Sequence, residues 1–374
     1  MTEGFDPDVI VGRIAAFGLP NGDPFPAPID IAKEEWQKVL PRLHRHHITG
    51  FAVAAAEAGS LALSAEQTDA LLETHREAML APLAVERGLL EVATELHAGD
   101  VEFVVLKGPA LAHTVYPNPS WRYFGDLDLL VRGGDWPKAC TILESLGYRR
   151  GLPEPRGGFD QRFGKASEFR RQGGIEVDLH RTLVVGPFGL WIEPDILFEA
   201  TTELLLWDQT HRRLDDTLLQ LHACVHASLG WWPPLMMPVR DVAQVAHCAQ
   251  VDWEALADRA ARWKLRAVVR HALQTASETL EVGLPAGADK LVAYTPSRKE
   301  HRALQGYVTD RRKRGGTAVA TLKAIPGLTA KVAFLRALIF PNREFLAARS
   351  GSARSYWRRW AIPVRWVLRR RRRT

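Results

Sequence analysis

Gly125-Asp126-Leu127-Asp128-Leu129-Leu130 decides how the rest of the chain is read. The run is apolar apart from two acidic positions spaced i and i+2, which reads as a strand. Strand side chains alternate faces, so Asp126 and Asp128 point the same way. Two carboxylates held that close repel unless a cation sits between them. A core strand has no structural use for such a pair, whereas magnesium-dependent phosphoryl or nucleotidyl transfer does. The pattern recurs downstream: Gly173-Gly174 makes a turn, and in Ile175-Glu176-Val177-Asp178-Leu179-His180 the polar residues share one face. Residues 165–171 and 175–181 are therefore expected to form a hairpin. Upstream, Val101 to Leu106 is a buried-strand run ending at Lys107-Gly108-Pro109, and a short helical pattern follows from Ala110 to Tyr116. Strand, tight turn and helix together bring backbone N–H groups to phosphate.

Taken in order, these motifs resemble the nucleotidyltransferase superfamily related to DNA polymerase beta. More narrowly, the chain is similar to uncharacterised bacterial nucleotidyltransferases with the motifs Leu-Lys-Gly-Pro, Arg-x-x-x-Asp-Leu-Asp-Leu-Leu and Glu-x-Asp-Leu-His. They stand here as Leu106-Lys107-Gly108-Pro109, Arg122 through Asp126-Leu127-Asp128-Leu129-Leu130, and Glu176-Val177-Asp178-Leu179-His180. The likeness continues through Leu218-Leu219-Gln220-Leu221-His222 to His226 and into Arg240-Asp241, over about residues 65–280.

The resemblance implies an α+β fold. A polymerase-beta-like mixed sheet with flanking helices would be followed by an all-α domain and a basic amphipathic C-terminal tail. It implies transfer of an NMP from an NTP, ATP being the expected donor, with Mg²⁺ in a two-metal site. Asp126 and Asp128 would hold the metal that grips the triphosphate. Asp178 would complete a second metal position and serve or orient the base. Lys107 and Gly108 would face the phosphates, and Arg122 would reach one as a bidentate donor. His180 would orient Asp178, touch the acceptor or shuttle a proton. Glu176, His226 and Asp241 would stand behind the site or contact the acceptor. One departure concerns the turn, which is glycine-proline where the superfamily usually has glycine-serine. The missing hydroxyl leaves the phosphate grip to Lys107, backbone amides and Arg122.

Composition narrows the partners. The 374 residues are 46% hydrophobic, enough for two packed domains. Cys140, Cys224 and Cys248 are odd in number and lack metal spacing, so they read as reduced thiols of a cytosolic protein. No signal peptide is visible at the start. No transmembrane segment is expected either: the longest apolar stretch, Thr317 to Phe340, is broken by Lys323, Pro326, Lys331 and Arg336. The formal charge of +6 is unevenly spread: ten arginines and no acid follow Glu344, leaving residues 1–344 at −4. A mildly acidic body argues against a nucleic acid laid across the catalytic unit.

The organisation reads as five segments. Residues 1–29, broken by Pro20, Pro24, Pro26 and Pro28, are expected to be loosely ordered. N-terminal helices occupy 30–98, including a long one from Ser64 with a stripe of Leu71, Leu72, Met79, Leu83, Leu90, Ala93 and Leu96. The catalytic α/β unit spans 99–206, a helical domain 207–297, and a helical, basic extension 298–374. Within the extension, Trp357, Trp360, Val364, Val367 and Leu368 form an apolar stripe flanked by arginines. That pattern suits contact of residues 352–374 with a membrane surface or polyanion, in a cytoplasmic protein peripheral to the inner membrane face.

Two readings compete with an active transferase whose acceptor is a small molecule, a peptide or protein, or an RNA end. One is a nucleotide-binding regulatory module without turnover, suggested by the missing serine. The other is a toxin-like transferase acting on tRNA. His222 and His226, at i and i+4 on a helix, have a zinc-compatible spacing but no third ligand.

Overall fold

The computed structural model describes residues 5–20, 24–230, 233–308 and 315–350. A seven-stranded mixed sheet positions the acidic motifs. Its strands are β1 (Phe103–Leu106), β2 (Asp126–Val131), β3 (Arg149–Arg150), β4 (Ala166–Arg170), β5 (Glu176–His180), β6 (Thr201–Leu206) and β7 (Gln209–Leu214). They lie in the order β3-β4-β5-β2-β1-β7-β6. β2 runs antiparallel to β1 and parallel to β5, and β4 and β5 form the expected hairpin across the Gly173-Gly174 turn.

β2 has two faces because its residues alternate. Leu127, Leu129 and Val131 join the core formed with Val85, Leu89, Val92 and Leu96 of α4 (Ala65–Ala98) and with Trp136, Ala139 and Leu143 of a helix over Trp136–Ser145. Asp126, Asp128 and Leu130 face the opposite way. There Leu130, with Val104 and Leu106 of β1, meets the helical core. That core includes α1 (Pro7–Ala16), α2 (Lys33–Arg45) and α3 (Thr49–Glu57), together with four later helices: α5 (Asp216–Leu229), α6 (Met236–Cys248), α7 (Trp253–Arg262) and α8 (Arg266–Leu280). The acidic face of the sheet is thus the face that the helical lobe covers.

Three expectations need revision. Residues 7–16 are helical rather than loose: Asp6 caps the helix through Asp8 N–H at 2.9 Å, and Ile10, Val11 and Ile14 are buried. Buried Arg240 fastens its end by donating to the Phe17 carbonyl at 2.7 Å. Pro20, Pro24, Pro26 and Pro28 mark only the chain after this helix, while Pro7 sits in its first turn. The sheet also runs past residue 206, because the β6–β7 hairpin returns the chain to β1, with Arg213 opposite Val105. On α4, capped by the Ser64–Gln67 box, the buried stripe is Leu71, then Val85, Leu89, Val92 and Leu96, while Leu83 is exposed. Leu71 belongs to the helical core and Val85 onward to the sheet core, and the half-buried middle of the helix links the two, with His75 Nδ1 3.2 Å from Thr49 Oγ1.

Helices over Arg298–Gln305, Gly315–Ala324, Leu328–Ile339 and Arg343–Ser350 follow. Among the described residues no helix is long and apolar enough to cross a membrane. The Trp/Arg tail at 352–374 lies outside the described residues.

Candidate active site

β1 is buried along its length, and the chain leaves it through Lys107, whose backbone takes φ +42° and ψ −127° ahead of a five-residue helix over Gly108–Ala112. A non-glycine residue there costs on the order of 1–3 kcal/mol and persists only where its surroundings fix it. The Lys107 ammonium lies 2.7 Å from Asp128 Oδ1. Gly108 is needed for close approach, since a Cβ there would stand 3.3 Å from the Phe124 ring.

Parallel pairing of β2 with β5 sets three rows. Asp126 stands opposite Glu176, Asp128 opposite Asp178, and Leu130 opposite His180. His180 reaches back so that Nε2 lies 2.7 Å from Asp128 Oδ1, while its Nδ1 lies 3.2 Å from the Thr182 carbonyl. Burial and the charge of Lys165 lower the His180 pKa, so the ring is neutral at pH 7. The shorter, charge-assisted contact places its proton on Nε2, donated to Asp128. Asp128 is therefore a buried carboxylate whose Oδ1 is held from two sides. Burial opposes its charge, yet Lys107 and His180 outweigh that and hold its pKa well below the usual range. Lys107 is the mirror case: burial opposes its charge, but Asp128 and Asp126 raise its pKa.

Asp126 is different. The charge of Asp128, then burial, push its carboxyl up to about 6, with Lys107 only partly offsetting them. A fold that strains one acid beside another fits a cation at this spot. Asp128, Asp178 and His180 bring atoms within 4.8 Å of one another, but Nε2 of His180 is spent as a donor to Asp128, so the two carboxylates are the donor set for a cation. The expected trio was Asp126, Asp128 and Asp178. The compact trio has His180 in place of Asp126, because pairing sets Asp128 abreast of Asp178 and leaves Asp126 abreast of Glu176.

Arg122 does not face the carboxylate pair as a free phosphate donor. Its fork is spent on buried Asp241, with Nε to Oδ1 at 2.9 Å and Nη2 to Oδ2 at 2.8 Å, while Nη1 donates to the Gly108 carbonyl at 3.3 Å. Tyr116 also donates to Asp241, at 2.7 Å. Arg122 and Asp241 thus clamp the Gly108 turn to α6. Glu176 is bound by Arg170 at 2.9 Å. His222 and His226 lie on α5 above the site, and burial lowers both pKa values well below 6.5, so they are neutral. Neither belongs to the compact trio.

The sequence reading missed Lys165. It directly precedes β4, and its carbonyl accepts from Arg181 N–H at 2.9 Å. Burial and then the charge of Lys107 lower its pKa, with Asp128, Asp178 and Asp126 opposing that shift. Among the described residues its ammonium makes no ion pair. The only signal was hairpin register: Ala166 pairs with His180, which brings the preceding residue to the site.

Among curated proteins no match is found. Among solved structures the chain is similar to an antigenic nucleotidyltransferase-like protein from Paracoccidioides brasiliensis. The two are 15% identical with a TM-score of 0.33, over 55% of this chain and 95% of that one. Residues 32–281 match the family described as "Uncharacterised nucleotidyltransferase", and the match takes in every residue placed above in the site. The chain belongs to that nucleotidyltransferase family.

Proposed function

We propose that this protein transfers an NMP from an NTP, ATP foremost, to a hydroxyl-type acceptor in a Mg²⁺-dependent reaction. The observation that carries the reading is the strained Asp126 beside Asp128, with Asp178 abreast of Asp128 on the neighbouring strand. Asp128 and Asp178 would hold the metal, with Asp126 completing the site. Bound magnesium supplies charge stabilisation to the phosphate and acceptor oxygens. Lys107 and Lys165 bind the phosphates. Asp178, the more solvent-open of the facing pair, takes the acceptor proton. His180 holds Asp128 in place through its Nε2 proton. The −4 charge of residues 1–344 supports a small-molecule or protein acceptor over tRNA. We place the protein in the cytoplasm.

A second reading, a nucleotide-binding module without turnover, has one observation in its favour: Asp128 Oδ1 is already taken by Lys107 and His180. One experiment separates the two. Thermal shift with ATP, CTP, GTP and UTP, with and without Mg²⁺, is run on wild type and Asp178→Asn, followed by pyrophosphate release with the best nucleotide. Mg²⁺-dependent stabilisation and pyrophosphate release, both lost in the variant, support the transferase. Stabilisation without release under any acceptor mixture supports the module. No shift at millimolar nucleotide refutes both.

A further inference from the structure

The helix over Leu328–Ile339 presents two unlike faces. Its inner face carries Ala330, Ala333 and Phe334 onto Phe159, Phe163 and Ile325. The Phe334 ring lies 5.4 Å from that of Phe163 and 5.9 Å from that of Phe159. Just beyond the helix, Asn342 anchors the chain through N–H to the Pro155 carbonyl at 2.8 Å and Nδ2 to the Glu154 carbonyl at 2.9 Å. The helix is therefore fastened to the catalytic unit, and its outer face is set by that packing.

The outer face is apolar. Leu328, Val332, Leu335 and Ile339 are 78%, 54%, 37% and 36% exposed, and their spacing of i, i+4, i+7 and i+11 makes one stripe. At 100° per residue Lys331 falls on one side of that stripe and Arg336 on the other. An exposed apolar stripe with long basic side chains on both flanks is what an interfacial helix needs, since the stems lie along the apolar surface and the charges reach headgroups. Beside the stripe, and sharing Val332 and Arg336 with it, lies a cleft of about 400 Å³. Arg156, Arg162 and Arg336 line it and no carboxylate does. Arg156 Nε is buried there with no hydrogen-bond partner among the described residues. Charge distribution points the same way. Residues 311–374 hold eighteen lysines and arginines and one acid, Glu344, whereas residues 1–310 sum to −11.

We infer that this face docks on an anionic phospholipid surface, with the Leu328–Ile339 stripe entering the interface and the three-arginine cleft taking headgroup phosphates. A nucleic acid would use the cations and leave the apolar stripe in water. A protein groove would cover the stripe and find no use for the arginine excess. The inference does not rest on the chemistry at the carboxylates.

The test is co-sedimentation of the full chain with phosphatidylcholine vesicles, plain or carrying phosphatidylglycerol. The protein pellets with the anionic vesicles and not with the neutral ones. Val332→Glu/Ile339→Glu, at exposed positions that leave the fold intact, lowers partitioning at least about tenfold. Arg156→Gln/Arg336→Gln lowers it by about fivefold per arginine and flattens its salt dependence. Asp126→Asn pellets as wild type does, which separates docking from catalysis. A wild type that stays in the supernatant with anionic vesicles overturns the inference. So does a Val332→Glu/Ile339→Glu variant that partitions unchanged. Binding to a single-stranded oligonucleotide without vesicle binding assigns the charge to nucleic acid and overturns it too.

Discussion

Replacing Asp126 by asparagine removes a charge that the folded protein resists. The Asp126 carboxyl stands at about 6 against an ordinary value of 3.8, driven first by the charge of Asp128 and then by burial. Each pKa unit is worth about 1.4 kcal/mol, so keeping Asp126 ionised at neutral pH costs the metal-free fold at most about 3 kcal/mol. Asp126 is partly open to water, so the realised figure is nearer about 1–3 kcal/mol. The sign follows from proton linkage. Between about pH 4 and pH 6 the folded state retains a proton that the unfolded chain has released. Wild-type stability therefore falls as pH rises through that window and levels off above it, whereas Asp126→Asn lacks this component. Urea unfolding of both proteins in chelator, from about pH 4.5 to pH 8, measures the difference. The variant should be the more stable by about 1–3 kcal/mol at the alkaline end, with the gap closing towards the acid end. A variant of equal or lower stability at the alkaline end refutes the argument, and with it the claim that this pair is built for a cation.

The other predictions separate residues that share the same chemistry. Asp128→Asn, next door, should lose about 3–5 kcal/mol, because it leaves the Lys107 ammonium buried without its partner; urea midpoints read this, and a neutral effect would sink it. Asp241→Asn should cost a similar amount by freeing the buried Arg122 fork, and it should weaken nucleotide binding indirectly by loosening the Gly108 turn. Lys165→Met should leave the melting temperature unchanged or raised while increasing KM for the nucleotide about tenfold or more, and Lys165→Arg should restore part of it; an unchanged KM removes Lys165 from the phosphate site.

The acidic pair, the hairpin and the four later helices were legible because each rests on local periodicity: alternation for β2 and β5, and a 3.6-residue stripe for α5 to α8. What was not legible depends on register or on distant partners. Alternation makes Asp126 and Asp128 equivalent, and only the pairing of β2 with β5 and the return of His180 make one a stabilised anion and the other a strained acid. Arg122 carried the right chemistry for phosphate, but its partner Asp241 lies 119 residues away, on α6. Helix α1 was hidden by prolines that follow it in the chain, since the stabilising contact from Arg240 comes from the far end of the fold.

The Lys107–Asp128 contact has a consequence for how the site fills. If Lys107 shares its charge with a phosphate, it gives less of it to buried Asp128, whose anion then needs another cation beside it. A divalent metal at Asp128 and Asp178 supplies that replacement, so metal and triphosphate should bind with strong mutual dependence. Nucleotide alone draws charge from a buried ion pair, and metal alone must sit beside a bound ammonium; each ligand lowers the cost of the other. The expected coupling is about 10–100-fold in Kd, equal in both directions by linkage. Calorimetric titration of the nucleotide at zero and saturating Mg²⁺, and of Mg²⁺ with and without the nucleotide, closes the cycle. Lys107→Met should abolish most of the coupling while raising the affinity for metal alone, because no ammonium then stands beside it. If the wild type bound nucleotide equally well with and without metal, Lys107 would not be the element that links the two.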